Sequence, residues 1–204
     1  MLIGFLRSAM AFFTRLTCGI AVFERGIDIS VLRQSVFFSN HSSNFDFPAI
    51  WSVLPAQQRV VTRPIAALDY WGNGRLRSFL SRRIFNAILI DRNRDQPDVD
   101  PLIESKAALR AGESIIIFPE GTRSMDGAIH PFKSGLYRLA VDSPEVEFVP
   151  VYIENMNRIL PKGEFLVVPL LSRVTFGSPI TLRAGEEKES FLMRATSALM
   201  ELSR

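Results

Sequence analysis

From residue 30 onward the chain alternates short, uninterrupted apolar runs with segments of helical period, and that alternation constrains the fold most. Candidate strands are Val36–Ser39, Val60–Thr62, Ala87–Ile90, Ile115–Phe118, Phe148–Val151, Phe165–Val168 and Val174–Phe176. Helical patterns fall near 45–53, 65–83, 98–111, 133–142 and 187–202. Strands that are apolar throughout, such as Ile115-Ile116-Ile117-Phe118, must be covered on both faces. The expected class is therefore α/β, with a largely parallel mixed sheet of about seven strands flanked by helices. No helical pattern separates 165–168 from 174–176, so the last strands are expected to pair antiparallel at an edge. With 204 residues and no linker, repeat or low-complexity tract, the body reads as one domain over residues 24–204.

In such folds ligands gather at the carboxyl ends of strands. Polar residues crowd just after the apolar runs at Asn40–Asp46, Asp91–Arg94 and Pro119–Ser124. In the first cluster, Asn40-His41-Ser42-Ser43-Asn44-Phe45-Asp46, Ser43 or Asn44 can cap the following helix and leave Asp46 in its first turn. His41 then lies in the loop, and the chain can fold back to bring the carboxylate to the imidazole. A carboxylate on one ring nitrogen fixes the tautomer and leaves the other nitrogen free as a base. Such a pair can remove a proton from a hydroxyl; alternatively, the two residues merely cap a turn.

In the third cluster, Phe118-Pro119-Glu120-Gly121-Thr122-Arg123-Ser124, Gly121 allows a tight turn and Thr122 and Ser124 offer hydroxyls. Arg123 carries a planar fork suited to phosphate. Lys133 brings an ammonium to the start of the next helix, a position that already favours anions.

Composition narrows the chemistry. One cysteine, Cys18, excludes an internal disulfide framework and a Cys-ligated metal cluster, and points to a reducing compartment. Two histidines, His41 and His130, argue against a multi-His metal centre, and no Gly-x-Ser-x-Gly elbow is present. Charge is uneven: residues 75–94 hold six arginines against Asp91 alone, on a chain of net charge +3. A basic belt suits an anionic partner or a solvated face. Its Phe79 and Phe85 read as core positions, which argues against nucleic acid as a partner.

Residues 1–23 are apolar but interrupted by Arg7 and Arg15, too broken to span a bilayer or to serve as a cleaved signal. On a helical wheel Leu2, Phe5, Leu6, Ala9, Phe12, Phe13, Leu16 and Ile20 share one face, while Arg7, Thr14, Arg15 and Cys18 share the other. The expectation is an amphipathic helix lying in a membrane interface, the alternative being one packed on its own domain.

Four blocks, in this order, resemble the glycerolipid acyltransferase family typified by 1-acylglycerol-3-phosphate acyltransferase. The family's His-x4-Asp block matches Asn40–Asp46, and its basic second block matches Ile90-Asp91-Arg92. Its third block is matched letter for letter at 118–124, and its fourth at Val149-Pro150-Val151. The resemblance implies that His41, oriented by Asp46, acts as general base on an acceptor hydroxyl that attacks an acyl thioester. The implied donor is acyl-coenzyme A or acyl-carrier protein, with no metal or other cofactor. Arg92, Glu120, Gly121, Thr122, Arg123 and Lys133 are the implied acceptor and phosphate residues, with Asn40, Pro119, Ser124 and Pro150 as motif support. The implied acceptor is 1-acylglycerol 3-phosphate, and the implied setting is the cytoplasmic face of a membrane rich in anionic lipid. Unlike many relatives, the chain reads Arg63-Pro64-Ile65 and Arg82–Asn86 where a Lys-rich segment and a glycine would stand. A lyso-aminolipid or another lysophospholipid therefore stays open as acceptor, as does a non-catalytic lipid-binding module.

Overall fold

The computed structural model of the protein describes residues 2–31, 33–91, 100–124, 126–159 and 171–204. Seven strands form one sheet in the order β1-β7-β6-β2-β5-β3-β4. They are β1 (Ile20–Arg25), β2 (Ser35–Ser39), β3 (Thr62–Ala67), β4 (Ile88–Ile90), β5 (Ser114–Ile117), β6 (Glu147–Glu154) and β7 (Ser172–Gly177). Every neighbouring pair is parallel except β6 and β7, which run antiparallel. The architecture is the expected α/β one.

Alternating side chains of the central strands feed two cores. Phe37, Ile116 and Val149 enter one, beneath α1 (Leu2–Thr17) and α2 (Asp46–Val53). Val36, Phe38, Ile115, Ile117 and Phe148 enter the other, beneath α6 (Ile103–Arg110), α7 (Gly135–Asp142) and α9 (Lys188–Glu201). With both faces covered, β2 is buried at all five positions, which is why it carries no polar alternation. Pro150 sits inside β6 without an N–H to give. It falls where β6 leaves its bridge to Ile180 at Phe148 and begins its ladder with β7 at Val151, so no ladder bond is lost there.

Three local expectations are corrected. Val60 and Val61 end a short helix, α3 (Ala56–Val61), and the strand begins only at Thr62. Ile65–Ala67, expected as helix, continue that strand, because Thr62–Pro64 pair with β5 and Ile65–Ala67 with β4. The rest of the expected 65–83 helix divides into α4 (Leu68–Trp71) and α5 (Arg75–Phe79), the latter running on as a π-helical turn, Leu80–Ile84. Gly74, at φ +80, makes the break. Finally, the N-terminal helix stops at Thr17. Gly19 takes φ +49 beyond it, a helix C-cap, and Ile20–Arg25 enter the sheet as β1. The expected strand at Phe165–Val168 lies outside the described residues.

The orientation of α1 reverses what amphipathicity ordinarily produces. Its small and polar side faces the domain: Ala11 and Thr14 are buried, as is Cys18 just beyond. Arg7 Nε donates to Ile84 O at 2.9 Å, and Arg15 Nε donates to Ser52 O at 2.7 Å. Each guanidinium thus satisfies a carbonyl near the end of another helix, where cations are favoured. The apolar side faces outward, with Phe5 71% and Leu16 69% exposed and Leu2, Phe12 and Phe13 similarly open. None of the described helices is long and apolar enough to cross a membrane.

This packing makes Cys18 a reporter. Burial pushes its thiol up to about 11, so only about a thousandth is thiolate at pH 8. A thiol reagent should leave folded protein unmodified at that pH and react promptly once residues 2–17 are removed. Arg15→Met should cost about 1 kcal/mol of stability through the lost bond to Ser52, read as a lower melting temperature. Prompt labelling of the intact protein would show that α1 does not stay on the domain.

Candidate active site

β2 and β5 are adjacent and parallel, with Phe38 opposite Ile117, so the loops leaving their carboxyl ends emerge side by side. His41 follows β2 and Phe118–Ser124 follow β5. Three contacts fasten the two loops. Glu120 Oε1 accepts from the His41 backbone N–H at 2.9 Å, Ser124 N–H donates to the His41 carbonyl at 2.7 Å, and the Phe118 ring stacks on the imidazole with centroids 4.2 Å apart. The imidazole is therefore held by its own peptide, by its neighbour's backbone and by its face.

Asp46 completes the arrangement. It opens α2 and is fully buried. Its Oδ2 lies 2.8 Å from His41 Nδ1 and also accepts the backbone N–H groups of Ser42 (2.6 Å) and Ser43 (2.8 Å). With two amide N–H groups already donating to it, Oδ2 is the acceptor in the third contact and Nδ1 the donor. The neutral ring then carries its free lone pair on Nε2. The five-residue spacing works because the chain turns at 43–46, with Asp46 N–H bonded to Ser43 O, before the helix begins. The same turn occupies the amides of Ser42, Ser43, Phe45 and Asp46.

Asn40 acts as a splice in the sheet. Its Nδ2 donates to Ile153 O and its Oδ1 accepts Ile153 N–H, both at 2.9 Å, so its side-chain amide continues the β2–β6 pairing one step past Ser39. Glu120 departs from the expected role of acceptor contact. Its carboxylate is 3% exposed and binds two backbone donors, His41 N–H and, through Oε2, His130 N–H at 3.1 Å. Burial raises its pKa, against the lowering effect of those two bonds. Glu120 is thus a brace behind the imidazole.

A cavity of about 690 Å³ opens in front of His41, beneath the carboxyl ends of β2, β5, β3 and β4, a size in the usual range for small-molecule sites. Its walls include the cations Arg123 and Lys133, the acids Asp69, Asp91, Asp100 and Glu104, and the apolar Phe47, Ile65, Trp71, Ile88 and Leu89, together with Asn44, Pro119 and Gly121. Gly121, at φ +72, lies directly under the Lys133 side chain, where a Cβ would come within 2.8 Å of Nζ. The glycine thereby leaves room for the Lys133 side chain. Phe47 and Trp71 belong to an aromatic cluster with Phe85 and Trp51, ring centroids 4.7 to 6.2 Å apart.

Of the other expected residues, Thr122 is exposed. Ser124 is buried, and its hydroxyl donates to Asp126 at 2.7 Å. His130 sits at the rim, its side chain 45% exposed and 3.4 Å from Asp126. Arg92 lies outside the described residues. Among the described residues no group of three or more His, Cys, Asp or Glu side chains could hold a metal ion. The apolar wall escaped the sequence reading because it comes from four separate segments. The one local signal was Phe47, directly after Asp46.

The acyltransferase family model matches residues 25–154, which include every block of the site. The chain belongs to the acyltransferase family. It is 28% identical over 175 residues to a 1-acyl-sn-glycerol-3-phosphate acyltransferase of Limnanthes douglasii, covering 79% of this chain and 58% of the relative. Against the human alpha form of that enzyme it is 32% identical over 130 residues, covering 63% of this chain and 44% of the relative. The chain thus spans about half the length of these curated relatives. A solved 1-acyl-sn-glycerophosphate acyltransferase of Thermotoga maritima has the same fold, with a TM-score of 0.77 at 22% identity over 98% of this chain and 80% of that one.

The brace has a measurable consequence. Glu120→Gln keeps one acceptor oxygen but turns an N–H group toward the second backbone donor. Stability should fall by about 1–3 kcal/mol, the usual cost of leaving a buried donor unpaired. Thermal melts of wild type and variant check this, and an unchanged melting temperature would show that Glu120 carries no such load.

Proposed function

We propose that the protein transfers a fatty acyl group from an acyl thioester, on coenzyme A or acyl-carrier protein, to the free hydroxyl of a lysophospholipid. The favoured acceptor is 1-acylglycerol 3-phosphate, giving phosphatidate. One observation carries the reading: an imidazole whose Nδ1 is held by a buried carboxylate opens onto a cavity lined by Arg123 and Lys133 and by apolar and aromatic side chains. A lysophosphatidate or an acyl thioester needs the same combination, an anion site and a greasy site with a base between them.

In this mechanism Nε2 of His41 takes the acceptor's hydroxyl proton as the oxygen attacks the thioester carbonyl carbon. The tetrahedral species collapses with cleavage of the C–S bond, and the imidazolium returns its proton to the leaving thiolate. The ester and a free thiol are the products. Asp46 stabilises the imidazolium through Nδ1 without taking its proton. Arg123 and Lys133 bind the acceptor's phosphate, and Phe47, Trp71 and the β3–β4 residues receive hydrocarbon. The exposed face of α1 supports attachment to the surface of a membrane, on the cytoplasmic side, where the thioester donors occur.

The decisive assay offers one labelled acyl donor to a panel of acceptors: lysophosphatidate, glycerol 3-phosphate, other lysophospholipids and a lyso-aminolipid. His41→Ala should lose transfer by roughly 10²–10⁴-fold, Asp46→Asn should fall steeply through the wrong tautomer, and His130→Ala should keep most activity. Near-normal turnover by folded His41→Ala would end the mechanism.

Arg123→Ala and Lys133→Ala should raise KM for a phosphomonoester acceptor far more than they change the slow hydrolysis of the donor. Equal loss of both activities would reassign these cations to the donor.

A further inference from the structure

We propose that the segment Arg75–Ile84 is a second lipid contact, which grips anionic headgroups and holds the mouth of the cavity against the bilayer beside α1. This rests on the membrane attachment read for α1 above and extends it to a surface with a different chemistry. Leu76 is 69% exposed and Phe79, expected in the core, is 46% exposed. Arg75, Arg82 and Arg83 are exposed as well, while Ser81 and Ile84 are buried. The spacing of Arg75 and Phe79 in α5 is that of one helical face. No acid lies between Asp69 and Asp91, and Arg75, Arg82 and Arg83 make no hydrogen bond or ion pair among the described residues.

Two contacts place this face. Arg7 on α1 donates to Ile84 O at 2.9 Å, so the π-helical turn is tied to the helix that exposes Phe5, Phe12 and Leu16. At the other end the Arg77 guanidinium lies over the Tyr70 ring, 4.7 Å from its centroid, and Tyr70 lines the cavity. The segment therefore runs from the domain-facing side of α1 to a residue that lines the active-site cavity. An acidic protein would match the arginines but would leave Leu76 and Phe79 in water. A bilayer surface takes both, with headgroups at the arginines and the acyl boundary at the apolar pair. With α1 and this segment seated together, an acceptor held in the leaflet meets the cavity mouth without first leaving for water.

The experiment measures sedimentation of the full chain with vesicles of phosphatidylcholine alone and of phosphatidylcholine mixed with phosphatidylglycerol. The variants are the triple Arg75→Ser, Arg82→Ser, Arg83→Ser and, separately, Phe12→Asp with Phe13→Asp. Each arginine at an anionic surface is worth about fivefold in partition, so the triple variant should bind mixed vesicles on the order of a hundredfold more weakly. It should bind neutral vesicles nearly as wild type does. Raised salt should close the gap between the two proteins. Melting temperature and turnover of a water-soluble short-chain acceptor should not change. Wild-type affinity of the triple variant for mixed vesicles would overturn the proposal, as would equal loss on both lipids. Normal vesicle binding with loss only when acyl-carrier protein is the donor would also overturn it, in favour of an acidic protein partner. Vesicle binding retained by the Phe12/Phe13 variant would instead strike at the attachment of α1, so the two failures are distinguishable.

Discussion

A carboxylate with no access to water organises this molecule. Burying Asp46 removes its hydration, and Oδ2 recovers part of the loss by gathering three N–H groups, two from the backbone and one from the imidazole, while Oδ1 has no partner among the described residues. That concentration folds residues 41–46 into a loop and fixes where α2 begins. It also settles which ring nitrogen carries the proton. The other side of the histidine is secured from β5, through Glu120, Ser124 and Phe118. The second support reaches His41 only because two parallel neighbours end side by side. The chemistry therefore depends on strand order, and strand order depends on the fully apolar runs of β2 and β5.

The N-terminal helix shows how an amphipathic element can serve two solvents. Ordinarily the apolar side packs inward and charge faces water. Here two arginines, a threonine and an alanine form the inner side, and phenylalanines and leucines form the outer one. Attachment to the domain comes from guanidinium groups on helix-terminal carbonyls and from Leu6, Met10 and Ala11 packed against the core. The larger apolar area, at Leu2, Phe5, Phe12, Phe13 and Leu16, stays exposed.

Much of this was readable from the residues because the determining features are local. The continuous apolar runs gave the sheet its class, and the fixed spacing of His41 and Asp46 described a loop-to-helix turn. What escaped depends on long-range pairing. Ile65–Ala67 have an ordinary helical pattern and are strand only because β4 lies beside them. Ile20–Arg25 look like the tail of an amphipathic helix, although Gly19 marks the break, and are strand because β7 receives them. Glu120 was misjudged for a related reason. Its neighbours Pro119 and Gly121 do line the cavity, and nothing in the local sequence says that the carboxylate between them turns inward to two backbone amides.

The pairing of β1 with β7 has a consequence for how the chain comes to be made. Ile20 faces Ser172 in the sheet, so β1 leaves the ribosome about 150 residues ahead of its partner. Closing so long a loop comes late in folding. During synthesis α1 therefore emerges with its phenylalanines exposed and with neither its sheet nor its carbonyl partners formed. The sheet is complete at β1 only once β7 has been made, so the docking of α1 and the closing of the sheet come in an order set by topology.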